Sequence, residues 1–235
     1  MTLSISSKLN RSHFSDMLRR VISNQSGTVL IEFAFAVPVF MGLGMYGSET
    51  SMVAITNTKV SQAALNLADN TSRLGQVDSG VITPTITESD IVNSLIGTKI
   101  QSKGLDLFEN GRVIISSLES MPAGQQFIRW RRCKGMRNVQ SKYDDDINDD
   151  NITDTTFIGM GAVGAEAKAV PNSAVMYVEV EYQYQPLFGN LFMQNVVLRQ
   201  EAAFNIRDQR NLVNGLFNDL NPTSKAATCN KLDAT

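Results

Sequence analysis

The chain has 235 residues, an apolar share of 43% and a formal net charge of −2, which fits one domain plus a membrane segment, or two small domains. The slightly acidic balance gives no broad basic surface, so nucleic acid is not an expected partner. The single histidine is His13. The chain beyond it therefore lacks the imidazole of Ser-His-Asp and Cys-His nucleophile pairs and of histidine-based zinc sites, and no nucleophile elbow occurs, so neither enzymatic activity nor a cofactor is expected.

Residues 1–27 read as a basic leader on the cytoplasmic side. Lys8, Arg11, Arg19 and Arg20 stand there against Asp16 alone, and one helical turn is expected near Met17–Ile22. Without these residues the side-chain charge falls from −2 to −5. Basic before an apolar run and acidic after it is the positive-inside pattern, which puts the C-terminal part across the membrane. The run itself, 28–47, carries one charge, Glu32. Its 20 residues reach about 30 Å as a helix, the thickness of a bilayer core. A secretory signal carries its small-residue cleavage site after the apolar core. Here Ser26-Gly27 precedes it, so a cut after Gly27 leaves the core on the product.

A carboxylate in that segment costs on the order of 1–3 kcal/mol, depending on depth. In an isolated anchor Glu32 is only a tolerated acid near the positive end of a helix dipole. In a bundle of subunits it has a use: Thr28, freed by the cut, presents an ammonium with which Glu32 of a neighbour can pair. Pro38 removes one helical hydrogen bond and should bend the axis. Gly42, Gly44 and Gly47 allow close helix approach.

From 48 to 75 the pattern becomes amphipathic, with Met52, Ile55, Val60, Ala63, Ala64, Leu67 and Leu74 at three- and four-residue steps and a stop expected at Leu74-Gly75. Residues 76–86 form a linker, and 76–235 the soluble part. Thr87-Glu88-Ser89-Asp90 resembles a capping box opening a helix at 88–101. Strands are expected at 112–119 and 125–133, joined by a Met121-Pro122-Ala123-Gly124 turn, and at 174–185 and 196–207 as an antiparallel pair. In the third, Ala174, Met176, Val178, Val180, Tyr182 and Tyr184 alternate with Tyr177, Glu179, Glu181 and Gln183, which predicts one buried and one wet face. The tail from Asn211 has only Cys229 to tie it down. The fold class is thus α+β: a long N-terminal helix, membrane-spanning in its first half and amphipathic in its second, packed in pilin-like fashion on an antiparallel sheet.

Cys133 and Cys229 both follow the apolar run, so a disulfide is expected on compartment grounds. Asp144, Asp146 and Asn148 have the one-three-five spacing of a calcium loop, but Asp149 stands where Gly is needed and Thr155 where Glu is; a solvated acidic loop is the better reading, and no metal is expected. The basic stretch Arg129, Arg131, Arg132, Lys134 and Arg137 is expected to complement that acidic run, in the same subunit or the next.

Gly27-Thr28-Val29-Leu30-Ile31-Glu32-Phe33-Ala34, with Pro38 and Tyr46-Gly47 near the membrane exit, resembles the TadE-like family of minor pilins and pseudopilins of the bacterial tight-adherence (Flp-type) pilus. The match covers about residues 20–75, and Phe33 stands where many members have Tyr. The resemblance implies processing by a prepilin peptidase between Gly27 and Thr28, with Glu32 and Phe33 as the subunit-docking pair of the mature helix. It also implies storage in the bacterial inner membrane as a single-pass protein with a cytoplasmic N-terminus and periplasmic domain. The implied partners are other pilins and the inner-membrane assembly platform, and the implied function is surface adhesion. The competing reading is an uncleaved, membrane-anchored periplasmic binding protein that never polymerises.

Overall fold

The computed structural model describes residues 16–17, 19–20, 22–23, 26–75, 84–143, 157–207, 210–212, 215–220 and 226–234. The chain falls into two compact units, Met1–Thr50 and Ser51–Thr235. Helix α1 (Ser26–Ser72) contributes to both.

In the first unit the described leader residues 16–17, 19–20 and 22–23 are helical. The α1 residues there are apolar on every side and open to the surroundings: Val29, Leu30, Ile31, Phe33, Phe35, Val39, Phe40, Met41 and Leu43 are all exposed. A helix that is apolar all round is built for burial in lipid or among other helices. This one is long and apolar enough to cross a membrane. Pro38 lies inside it without ending it.

In the second unit, Val60, Ala63, Ala64, Leu67 and Ala68 of α1 are buried in the main core, and Met52 and Val53 pack at its margin. The three alanines keep this stripe narrow, so the helix backbone can approach the sheet closely. Ile55 sits off the stripe and is exposed. The helix ends at Ser72, two residues before the expected stop. Thr71 and Ser72 turn their hydroxyls onto the carbonyls of Leu67 and Asp69, and the chain leaves through Gly75 at φ +84°, where a side chain would be strained.

Helix α2 (Glu88–Gln101) has the expected bounds and the expected reciprocal cap. The Asp90 N–H donates to Thr87 Oγ1 at 3.2 Å, and the Thr87 N–H donates to Asp90 Oδ2 at 3.0 Å. Its Ile91 and Leu95 enter the core. After the single turn α3 (Leu107–Asn110) come strands β1 (Gly111–Ser120), β2 (Gln126–Lys134), β3 (Ala174–Gln183) and β4 (Val197–Asn205). All neighbours are antiparallel, in the order β2-β1-β3-β4. The turn 121–124 joins β1 and β2, closed by Met121 N–H to Gln125 O at 2.8 Å and by Gly124 at φ +90°.

Ala174, Met176, Val178, Val180, Tyr182 and Tyr184 face α1 and α2 as expected. The opposite face of β3 is not wet. Tyr177, Glu179 and Glu181 are each more than nine-tenths buried, because residues 137–143 and 157–169 lie over that side. Leu118, Ile128, Met160, Ala169, Val175 and Tyr177 form a second, smaller core there.

Candidate functional site

Two regions carry the side chains singled out in the sequence: the start of α1 and the rim and outer face of the sheet. At the helix start, Gly27 and Thr28 sit in the first turn of α1. A Cβ placed on Gly27 meets nothing within 4 Å, so the junction is open. The first four N–H groups of a helix have no intrahelical partner, so unwinding this turn to present the Gly27–Thr28 peptide sacrifices few bonds. Thr28 and Glu32 are one turn apart on one face. Glu32 is exposed among exposed Leu30, Ile31, Phe33 and Phe35. A lone carboxylate on a wide apolar surface is a poor solution for a soluble chain and a usable docking point in a helix bundle.

The outer face of the sheet holds a cluster of paired charges. Glu201 on β4 stands directly opposite Glu179 on β3, and Arg199 opposite Glu181. Lys142 bonds Glu201, while the hydroxyls of Tyr177 and Tyr143 donate to Glu201 Oε2 at 2.6 and 2.8 Å. Burial disfavours the Glu201 charge, but these donors outweigh it and hold its carboxyl below the ordinary glutamate value. Glu181 follows the same logic: burial opposes its charge, and Arg199 Nε at 2.6 Å and Arg137 Nη2 at 2.7 Å overcome that. Glu179 goes the other way. Burial pushes its carboxyl up, although Ser141 Oγ at 2.5 Å and the Lys142 N–H at 3.2 Å donate to it. A cavity of about 250 Å³ opens among Arg112, Lys142, Glu179, Glu181, Arg199 and Glu201. Every carboxylate around it already holds a donor, so the cluster acts as a staple fixing residues 137–143 to the sheet.

Each residue of the basic stretch has a partner among the described residues. Arg129 Nε bonds Glu119 Oε2 at 3.1 Å and its guanidinium lies 4.6 Å from the Phe127 ring centroid. Arg131 Nε donates to Ser116 Oγ at 3.2 Å. Arg132 grips Glu88, the first residue of α2, with Nε at 2.9 Å from Oε2. Lys134 bonds Asp233 at 3.0 Å, and Arg137 bonds Glu181. The register between β1 and β2 shifts here. Ser117 faces Trp130 while Leu118 faces Ile128, which leaves Arg129 as a bulge. Ile128 therefore lies in the outer core and Trp130 in the inner one, although they are two residues apart. The acidic run itself, including Asp144, Asp146 and Asn148, lies outside the described residues.

Cys133 and Cys229 are bonded. More than that bond holds the tail. Arg112 donates to the carbonyls of Gly135, Lys231 and Cys229 at 2.6–2.8 Å. Cys133 N–H meets Ala227 O at 2.7 Å and Gly135 N–H meets Asp233 O at 2.8 Å, so the tail runs along the free side of β2. Upstream, Phe217 pairs with Thr87. Sequence reasoning missed these contacts because they use backbone carbonyls, which have no residue signature. The one available hint was Arg112, a charge directly before the apolar run Val113-Ile114-Ile115.

No protein-family model, curated protein or solved structure matches this chain.

Proposed function

We propose that this chain is a minor pilin or pseudopilin of a tight-adherence (Flp-type) type IV pilus, processed after Gly27 and acting in assembly of the fibre for surface adhesion. One observation carries the reading. A single helix begins at Ser26, is apolar all round through its first half with one acid, Glu32, and in its second half packs on an antiparallel sheet. The first half suits both an inner membrane and the core of a helical fibre, because both solvents are apolar. Moving between them therefore costs little. In the fibre the Glu32 carboxylate has to find a partner, and the Thr28 ammonium of a neighbour is one. An unpaired carboxylate in an apolar bundle is costly, so misaligned subunits are penalised and the register is set. A prepilin peptidase, other pilins and the inner-membrane assembly platform are the partners this requires.

The test is Glu32→Gln in the full chain. Processing should continue and piliation should drop at least ten-fold, since the amide keeps size and loses the charge. Normal piliation by this variant would remove the docking role.

A further inference from the structure

Within the second unit, α1 and β4 run side by side in the same direction. Gln200 Nε2 donates to Asn57 Oδ1 at 2.8 Å, and Arg207 Nη2 bonds Asp69 Oδ1 at 2.8 Å. Ser51 comes six residues before Asn57, about 9 Å along the helix. Val197 comes three before Gln200, about 10 Å along the strand. Gln183 of β3 pairs with Val197, so the β3–β4 loop, residues 184–196, starts and finishes at the end of the unit where Ser51 enters. Ser51 follows Gly47, the last residue of the apolar run, by four residues, at most about 14 Å of chain.

The loop at that end has an unusual surface. No charged side chain occurs between Glu181 and Arg199. Residues 186–193 bend through one 3-10 turn, Gly189–Leu191. Leu187 and Leu191 are 56% and 69% exposed, and Phe188 36%. Phe192 sets its ring edge-on to Phe188, 6.2 Å between centroids. Single exposed apolar side chains are ordinary, but three within five positions, backed by a fourth, make a patch. Its rim is made of neutral amides: Gln185, Asn190, Gln194 and Asn195 are all exposed. Such a rim offers no charge by which one protein partner would be selected over another. It suits the headgroup boundary of a bilayer, where amides meet ester and phosphate oxygens and apolar tips reach the acyl chains. We infer that residues 186–193 form an interfacial anchor, which dips into the leaflet from which α1 emerges and holds the soluble unit down on the lipid. The inference rests on the membrane reading of α1. The anchor serves the stored subunit, and its contact breaks when the subunit leaves the membrane.

The test uses the full chain, native disulfide intact, at high dilution in vesicles of phosphatidylethanolamine and phosphatidylglycerol. A fluorophore is placed on Asn190→Cys in the loop, on Phe40→Cys in α1, or on Val163→Cys. Val163 is 99% exposed and lies near the opposite end of the sheet, where Met160 packs with Val175. Nitroxide-labelled lipid should quench the labels at 40 and 190 and spare the one at 163. Leu187→Asp/Leu191→Asp should cut quenching at 190 several-fold, with that at 40 and the Trp130 fluorescence unchanged. Leu187→Gln/Leu191→Gln replaces that pair where Trp130 reports unfolding. Quenching at 40 without quenching at 190 would overturn the anchor alone, as would equal quenching at 163. Quenching at 190 that ignores both double variants would mean mere nearness through the tether and would also overturn it. So would a label at 190 shielded from iodide yet untouched by the nitroxide lipid, since protein would then cover the loop. No quenching at 40 would overturn the membrane reading of α1, and the anchor with it.

Discussion

Replacing Cys229 by Ser tests how the soluble unit is held. Cys133 and Cys229 are 96 residues apart, so the bond closes a loop of about 97 residues, which the chain-entropy relation values at about 4.7 kcal/mol of lost freedom in the unfolded state. The folded state should change little. Arg112 still donates to three carbonyls, Lys134 still bonds Asp233, and Ala227 still pairs with Cys133. The loss is therefore expected almost entirely from the unfolded side, as a stability decrease of about 4–5 kcal/mol. For a unit of this size that corresponds to a melting temperature lower by roughly 10–15 °C. Trp130, the single tryptophan, is buried in the inner core and reports unfolding by its fluorescence. Reduced parent protein should melt with the variant. A stability difference below about 1 kcal/mol would refute the entropic argument, and tryptic cutting at Lys231 in the still-folded variant would refute the claim that Arg112 and the backbone pairs hold the tail unaided.

Three further outcomes follow from the same contacts. Thr87→Ala removes the cap of α2 and should cost about 1 kcal/mol in urea unfolding; an unchanged midpoint would mean that Phe217 alone fixes that turn. Arg132→Ala strands the buried Glu88 carboxylate and should cost about 3–5 kcal/mol, whereas the double change Glu88→Gln/Arg132→Met should recover most of it; equal losses in both would contradict a desolvation cause. Stability should also vary with pH in two stages. Burial pushes the Glu179 and Glu119 carboxyls above 4.5, so their charges weaken the fold at neutral pH and protonation relieves this as pH falls toward 4.5. Glu201 and Glu181, which burial opposes but their donors hold below 4.5, contribute stability present above that value and lost as pH falls through their lowered ones. The urea midpoint should rise from pH 7 toward 5 and fall below 4.5. Glu179→Gln should flatten the rise, because an amide can accept from the Lys142 N–H and donate to Ser141; an undiminished rise would assign it elsewhere.

Elements whose information is local were legible in the sequence. Periodicity placed β1 to β4 within two residues at each end, and the Thr87–Asp90 spacing placed α2 with its cap. The alternation of β3 gave the inner face correctly, since Met176, Val178 and Val180 have no polar solution. Its outer face was misjudged, because Glu179 and Glu181 look like solvent-facing residues until Ser141, Arg137 and Arg199 are brought against them from distant parts of the chain. The partners that the basic stretch does have were out of reach for the same cause: Glu88 and Asp233 are 44 and 99 residues from Arg132 and Lys134. The Arg129 bulge was invisible for a different reason, since one extra residue in a strand leaves composition and spacing unaltered. At the helix start, the apolar run from Gly27 onward was readable as one long helix because its signal lies in consecutive residues.

The central claim is that the leader is removed and the apolar helix kept. Mass measurement of the N-terminal peptide of the membrane form, from cells with and without the prepilin peptidase, tests it directly. The account requires a chain beginning at Thr28 when the peptidase is present and at Met1 when it is deleted. A chain that retains Arg19 and Arg20 in peptidase-positive cells, or one that begins beyond Gly47, would contradict it.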